Sequence, residues 1–82
     1  MIGQNIIYYA PDEKIGKSPE ECEVFRTKMS DEILKRYPEA SVHVSPREGH
    51  RRVSGFNSDE NDNADAEAAD WLDDLFRKML AK

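Results

Sequence analysis

Few residues in this sequence have types and spacing suited to chemistry. The single cysteine, Cys22, and the two histidines, His43 and His50, are the only side chains that could form a thiolate–imidazole nucleophile pair. No third group is evident to orient either histidine, and Cys22 falls on an apolar helical stripe, where a thiol is normally buried and inert. Asp59-x-Asn61-x-Asn63, followed by Asp65 and Glu67, has the oxygen spacing of a calcium loop. Such a loop needs glycine at its sixth position and a bidentate glutamate at its twelfth, but Ala64 and Asp70 stand there, and no incoming helix precedes them. The sequence is therefore expected to hold no catalytic centre, no metal and no cofactor.

Charge is the stronger signal. The chain of 82 residues has a net charge of −5, unevenly placed. Residues 1–40 carry eight acids and six bases, and residues 41–56 one acid and three arginines. Residues 57–76 carry eight acids and no base. Binding through charged surfaces is thus more plausible than catalysis. A domain this small buries only roughly 60–65% of its unfolded surface, which leaves no room for a deep substrate pocket.

Composition bounds the setting. Apolar residues are 38% of the chain and charged residues 35%, but the apolar ones are clustered, which favours a folded domain over disorder. The start, MIGQNIIYYAPDE, lacks the basic and apolar regions of a signal peptide. No window approaches the roughly 18 apolar residues of a membrane span. One unpaired cysteine fits a reducing compartment, so a cytoplasmic, membrane-free location is expected.

The elements that must position these charges follow from periodicity. Residues 4–10, QNIIYYA, read as a strand with Ile6 and Tyr8 on one side and Ile7 and Tyr9 on the other. Apolar residues on both sides suit a central strand. Pro11-Asp12-Glu13 ends it, and a loop containing Gly16 follows. Ser18-Pro19-Glu20-Glu21 is a helix start with a capping box. Cys22, Phe25, Met29, Ile33 and Tyr37 continue at three- and four-residue spacing until Pro38 stops the helix near Arg36 or Tyr37.

Ser41 to Ser45 alternates as a strand with Val42 and Val44 inward. Pro46 to Gly49 reads as a turn, and Arg51 to Phe56 as a third strand, so the two are expected to form a hairpin. Val53 and Phe56 cannot both point inward on strict alternation, and a bulge at Gly55 would reconcile them. Residues 57–63 form a polar loop. A last helix is expected from about Asp62 to Leu80, with Ala68, Leu72, Leu75, Phe76 and Met79 on one face and Glu67, Asp70 and Asp74 opposite. Asp73 is expected to pair with Arg77, and Asp74 with Lys78. The whole is a single α+β domain: a β-α-β-β-α two-layer sandwich, with a three-stranded mixed sheet and two helices on one face.

In this order the pieces resemble the DinI-like family of small damage-response regulators of bacteria and phages. The likeness lies in a short strand, a Ser-Pro loop, and a helix ending in Tyr37-Pro38. It continues with the Val42-His43-Val44 core, the Val53-Ser54-Gly55 strand end, and an acidic final helix carrying Trp71. The resemblance implies a modulator of the SOS response that binds the RecA filament. Carried over by position, it implies that Glu67, Asp70, Asp73 and Asp74 make that contact. Two features differ from the family: the segment Asp59 to Asp65 is richer in acids, and Trp71 sits mid-helix rather than late.

Three readings of the surface stay open. The leading one is a non-enzymatic regulatory protein whose acidic last helix, with Trp71 as an anchor, binds a protein with a basic groove, such as the RecA filament. The second is a phage-type DNA mimic that inhibits a host defence complex such as a CRISPR-type effector. The third is a weak nucleic-acid binder using Arg47, His50, Arg51 and Arg52 of the expected hairpin. No aromatic partner for bases accompanies those arginines in the sequence, so binding of free nucleic acid is not expected. Each surface also has a bland reading, as a solvated helix face or as charges guarding a sheet edge.

Overall fold

The computed structural model describes residues 3–81. It is an α+β two-layer domain with a three-stranded mixed sheet. The elements are β1 (Asn5–Tyr9), α1 (Asp12–Ile15), α2 (Pro19–Arg36), β2 (Ser41–Ser45), β3 (Arg52–Ser54) and α3 (Ala64–Leu80).

α1 is a single turn in a stretch expected to be loop. Acids begin it, Lys14 ends it, and Gly16 closes it at φ 75°, a left-handed conformation that costs glycine little. Four residues are too few to show a period, but the turn drives Ile15 into the core. α2 begins as expected. Ser18 Oγ accepts the Glu21 backbone N–H at 3.3 Å and donates its own proton to Glu21 Oε1 at 2.9 Å. Replacing Ser18 with Ala is expected to lower stability by about 1 kcal/mol, seen as a reduced urea midpoint at unchanged slope. A midpoint equal to wild type would show that the cap contributes nothing.

The sheet order is β2-β1-β3, with β1 parallel to β2 and antiparallel to β3. This corrects the expected hairpin. β2 and β3 do not pair; they occupy opposite edges, and residues 46–51 cross the end of β1 to reach from one to the other. The cause lies in β1, whose apolar residues on both faces make it the best partner for each of the other strands. Gly49 permits the crossing: a Cβ there would lie 2.9 Å from the Tyr9 ring. The expected bulge is also absent. β3 ends at Ser54, and Gly55 turns the chain at φ 85°, so that Phe56 leaves the strand and packs edge-on against Tyr37 at 4.8 Å.

One face of the sheet carries the helices. Ile6, Tyr8, Cys22, Phe25, Met29, Ile33, Leu72 and Phe76 form the buried core, with Val42, Val44, Val53, Trp71, Leu75 and Met79 packed around it. Val42 and Val44 are only half-buried, because β2 is an edge strand. α2 lies over β2 and α3 over β3.

Candidate acidic interface

The carboxylates of residues 57–76 divide into two groups. Two of them are absorbed by the fold. Asp65 Oδ1 accepts the Phe56 N–H at 2.8 Å, while Asn57 Oδ1 accepts the Asp65 N–H at 2.9 Å. This exchange ties the polar loop to the start of α3, where Asn63 makes no side-chain cap. Asp73 is also engaged. Its Oδ1 accepts the Tyr8 hydroxyl at 3.3 Å, and its Oδ2 lies 3.4 Å from Arg51 Nη1.

The other acids, Asp59, Glu60, Asp62, Glu67, Asp70 and Asp74, are exposed. Glu67, Asp70 and Asp74 follow one another at spacings of three and four. They lie within about 60° on the helix surface away from the buried Ala68, Leu72 and Phe76. The loop acids Asp59, Glu60 and Asp62 precede the helix in the chain. Asn61 helps fix the junction, donating from Nδ2 to Glu67 Oε1 at 3.3 Å and accepting the Asn63 N–H at 3.1 Å. The calcium-like spacing therefore serves loop hydrogen bonding. Among the described residues, no three His, Cys, Asp or Glu side chains are placed to hold a metal ion.

The ion pairs differ from those expected. Arg77 Nη2 meets Asp74 Oδ1 at 2.7 Å, three residues apart, and Asp73 turns instead toward Arg51. Asp73 sits at the edge of the apolar stripe, within reach of the segment that crosses β1, whereas Arg77 is on the solvent side. The Asp74–Arg77 pair is largely exposed and contributes little.

Trp71 is half-buried. It meets Tyr37 edge-on at 5.7 Å, and the Arg36 guanidinium lies 5.0 Å from its ring centre. It thus closes the rim of the core beside the acidic row. The four basic residues proposed as a second surface are split by the corrected topology. Arg51 points to the helix side and Asp73, with its Nε buried and without a hydrogen-bond partner among the described residues. Arg52, next along the strand, points to the other face, and Arg47 and His50 are exposed on the crossing segment. Cys22 is fully buried, with its thiol 3.3 Å from the Lys17 carbonyl, while His43 and His50 are exposed, so the structure does not bring them together.

Sequence reading missed the cluster around Tyr8. Its hydroxyl accepts from Lys14 Nζ at 3.3 Å while donating to Asp73. Lys14 Nζ also lies 4.8 Å from the Tyr8 ring centre and 4.7 Å from that of Phe76. Burial, and then the Asp73 carboxylate, push the Tyr8 phenol up to about 12. Because the folded value lies above the ordinary 10, the stability this group contributes is present below pH 10 and is lost as pH rises through 12. Absorbance titration should show a phenol that ionises only near pH 12, together with alkaline unfolding. A Tyr8→Phe variant with the same absorbance change near pH 12 would contradict this. Strand alternation set Tyr8 on the same side as Ile6, but with both sides of β1 apolar it did not tell which side faces the helices, and the partners of Tyr8, from α1, α3 and the crossing segment, were not readable.

A groove of about 1230 Å³ runs between α2 and the end of α3, floored by Val24, Phe25, Leu75 and Met79. Lysines 28, 35 and 78 alternate around its rim with Glu20, Asp31 and Glu32, so it selects no partner by charge. Among the described residues, no helix is long and apolar enough to cross a membrane.

Fold and surface together define a small α+β domain with a carboxylate row on one helix. No protein-family model, curated protein or solved structure matches the chain at a significant level.

Proposed function

We propose that this protein is a non-enzymatic regulator that binds a basic groove on a nucleoprotein complex through Glu67, Asp70 and Asp74. One observation carries the reading: these three acids form an exposed row on a helix whose opposite side is locked into the core. A rigid row of like charge loses little freedom on binding, and its field steers a cationic surface toward it. The loop acids Asp59, Glu60 and Asp62 extend the contact. Asp73 acts from behind, holding α3 to β1 and the crossing segment, and Trp71 with Arg36 borders the row.

The sequence likeness to DinI-like regulators makes the RecA filament on single-stranded DNA the first partner to test. Filaments assembled with a slowly hydrolysed nucleotide should carry the protein into the pellet on centrifugation, less so as salt is raised. If it stays in the supernatant at low salt, RecA is not the partner. Capture from bacterial lysate, with wild type and an acid-neutralised variant side by side, then asks whether the row holds another target. A CRISPR-type effector recovered only by wild type would support the row and assign it to DNA mimicry.

A further inference from the structure

The outer side of α2 carries a row of charges in a particular order. Lys17, Glu20, Val24, Lys28 and Asp31 recur at spacings of three and four, and all five are exposed. The four within α2 lie inside about 80° of helix surface, away from Cys22, Met29 and Ile33, which face the core. Lys17 precedes the Ser18 cap and lines the same groove with them. Val24 stands in the middle, and at 53% it is the most exposed large apolar side chain among the described residues. Leu75 and Met79 of α3, both half-buried, extend the apolar surface beside it. Among the described residues, no ion pair engages Lys17, Glu20, Lys28 or Asp31.

Counted outward from Val24, Glu20 lies four residues before and Lys28 four after, while Lys17 lies seven before and Asp31 seven after. At each distance the two charges are opposite in sign. This order gives a partner of a single sign nothing to hold, yet it is complementary to itself read backwards. We propose that this face pairs with the same face of a second copy, the two α2 helices running antiparallel about a twofold axis at Val24. The axis sets Val24 against Val24, Glu20 against Lys28 and Lys17 against Asp31, and symmetry repeats each charge pair. Helices crossing at about 20° stay close enough for contacts one and two turns to either side. Neighbouring registers fail. An axis at Arg26 sets Glu20 against Glu32 and Lys17 against Lys35, and an axis at Lys28 sets that lysine against itself. A contact made mainly by one helix face is smaller than a standard interface, so the dimer is weak, with a dissociation constant of about 10–100 µM at low salt. Glu67, Asp70 and Asp74 do not line the groove, so the dimer leaves the acidic row open on both copies, and the inference does not rest on that row.

Sedimentation equilibrium of the full chain at low salt, from about 5 to about 500 µM, tests this directly. The average mass should rise from monomer toward dimer with concentration, and added salt should reverse the rise, because exposed charge pairs are screened. Glu20→Lys and Lys28→Glu should each weaken self-association about tenfold or more, since either change sets like charges opposite one another twice. Mixed in equal amounts, the two variants should associate about as well as wild type, because each supplies the charge that the other lacks. Glu20 lies in the first turn of α2, so its variant counts only with an unchanged circular-dichroism spectrum. Lys28→Glu and Val24→Asp, at exposed positions within the helix, carry the loss without it. A protein that stays monomeric over the whole range overturns the proposal. So does a dimer unaffected by Lys28→Glu and Val24→Asp, or a pair of folded charge variants that stay monomeric when mixed.

Discussion

Replacing Phe76 with Ala is expected to cost about 3–5 kcal/mol, enough to unfold much of the protein at room temperature. Phe76 is 5% exposed at the junction of three elements. Its ring meets Tyr8 of β1 at 5.6 Å and Phe25 of α2 at 5.3 Å, both edge-on, with the Lys14 ammonium above it. Truncation leaves a cavity that two aromatic rings cannot fill without moving the sheet and α2 apart. In a domain of this size the loss removes most of the net stability. Phe76→Leu, which keeps more of the volume, should retain the fold at lower stability. Urea denaturation followed by Trp71 fluorescence reads both. An unchanged midpoint for the alanine variant would mean that α3 does not present this side to the sheet.

The next largest effect is expected at Asp73. Replacing it with Ala removes the acceptor for the Tyr8 hydroxyl and the partner of Arg51, whose Nε already lacks a hydrogen bond among the described residues. Both contacts are part-buried and somewhat long, so the cost is about 2 kcal/mol rather than that of a fully buried pair. The same change should lower the Tyr8 phenol toward its ordinary range without restoring it, because burial is the larger cause of the shift. Asp70→Asn, on the exposed row, should leave stability within about 0.5 kcal/mol of wild type. Equal stability losses at the two positions would erase the distinction between a carboxylate that holds the fold and one that is free to bind.

The course of these elements through the sequence explains what was legible. The four-residue rhythm of Cys22, Phe25, Met29 and Ile33 and the stripe through Ala68, Leu72 and Phe76 fixed both long helices, because burial of one face leaves a local period. Apolar residues on both sides of β1 marked it as central. Strand pairing is different: it is a competition among partners. Residues 46–51 look like a turn by composition, yet they are long enough to span β1, and the gain from giving β1 two neighbours decides the order. That choice then sets the surfaces. It sends Arg51 to a carboxylate far along the chain and lays Ile7 between His43 and Arg52. The acidic row was legible because it lies within one helix, where spacing alone determines the face. The engagement of Asp73 was not, because its partners come from β1 and the crossing segment.

Neutralising Asp70 and Asp74 together distinguishes a binding row of Glu67, Asp70 and Asp74 from a merely solvated helix face. The two stand four residues apart and repel, while Asp74 also loses its exposed pair with Arg77. These effects are each a few tenths of a kcal/mol and opposite in sign, so the double Asn variant should unfold at nearly the wild-type midpoint. Its affinity for the partner identified by filament sedimentation or lysate capture should fall by about tenfold or more, equivalent to about 1.4 kcal/mol. The dependence of that affinity on salt should flatten at the same time, because fewer charges are brought together. A folded double variant that binds the same partner with unchanged affinity and unchanged salt dependence would contradict the account.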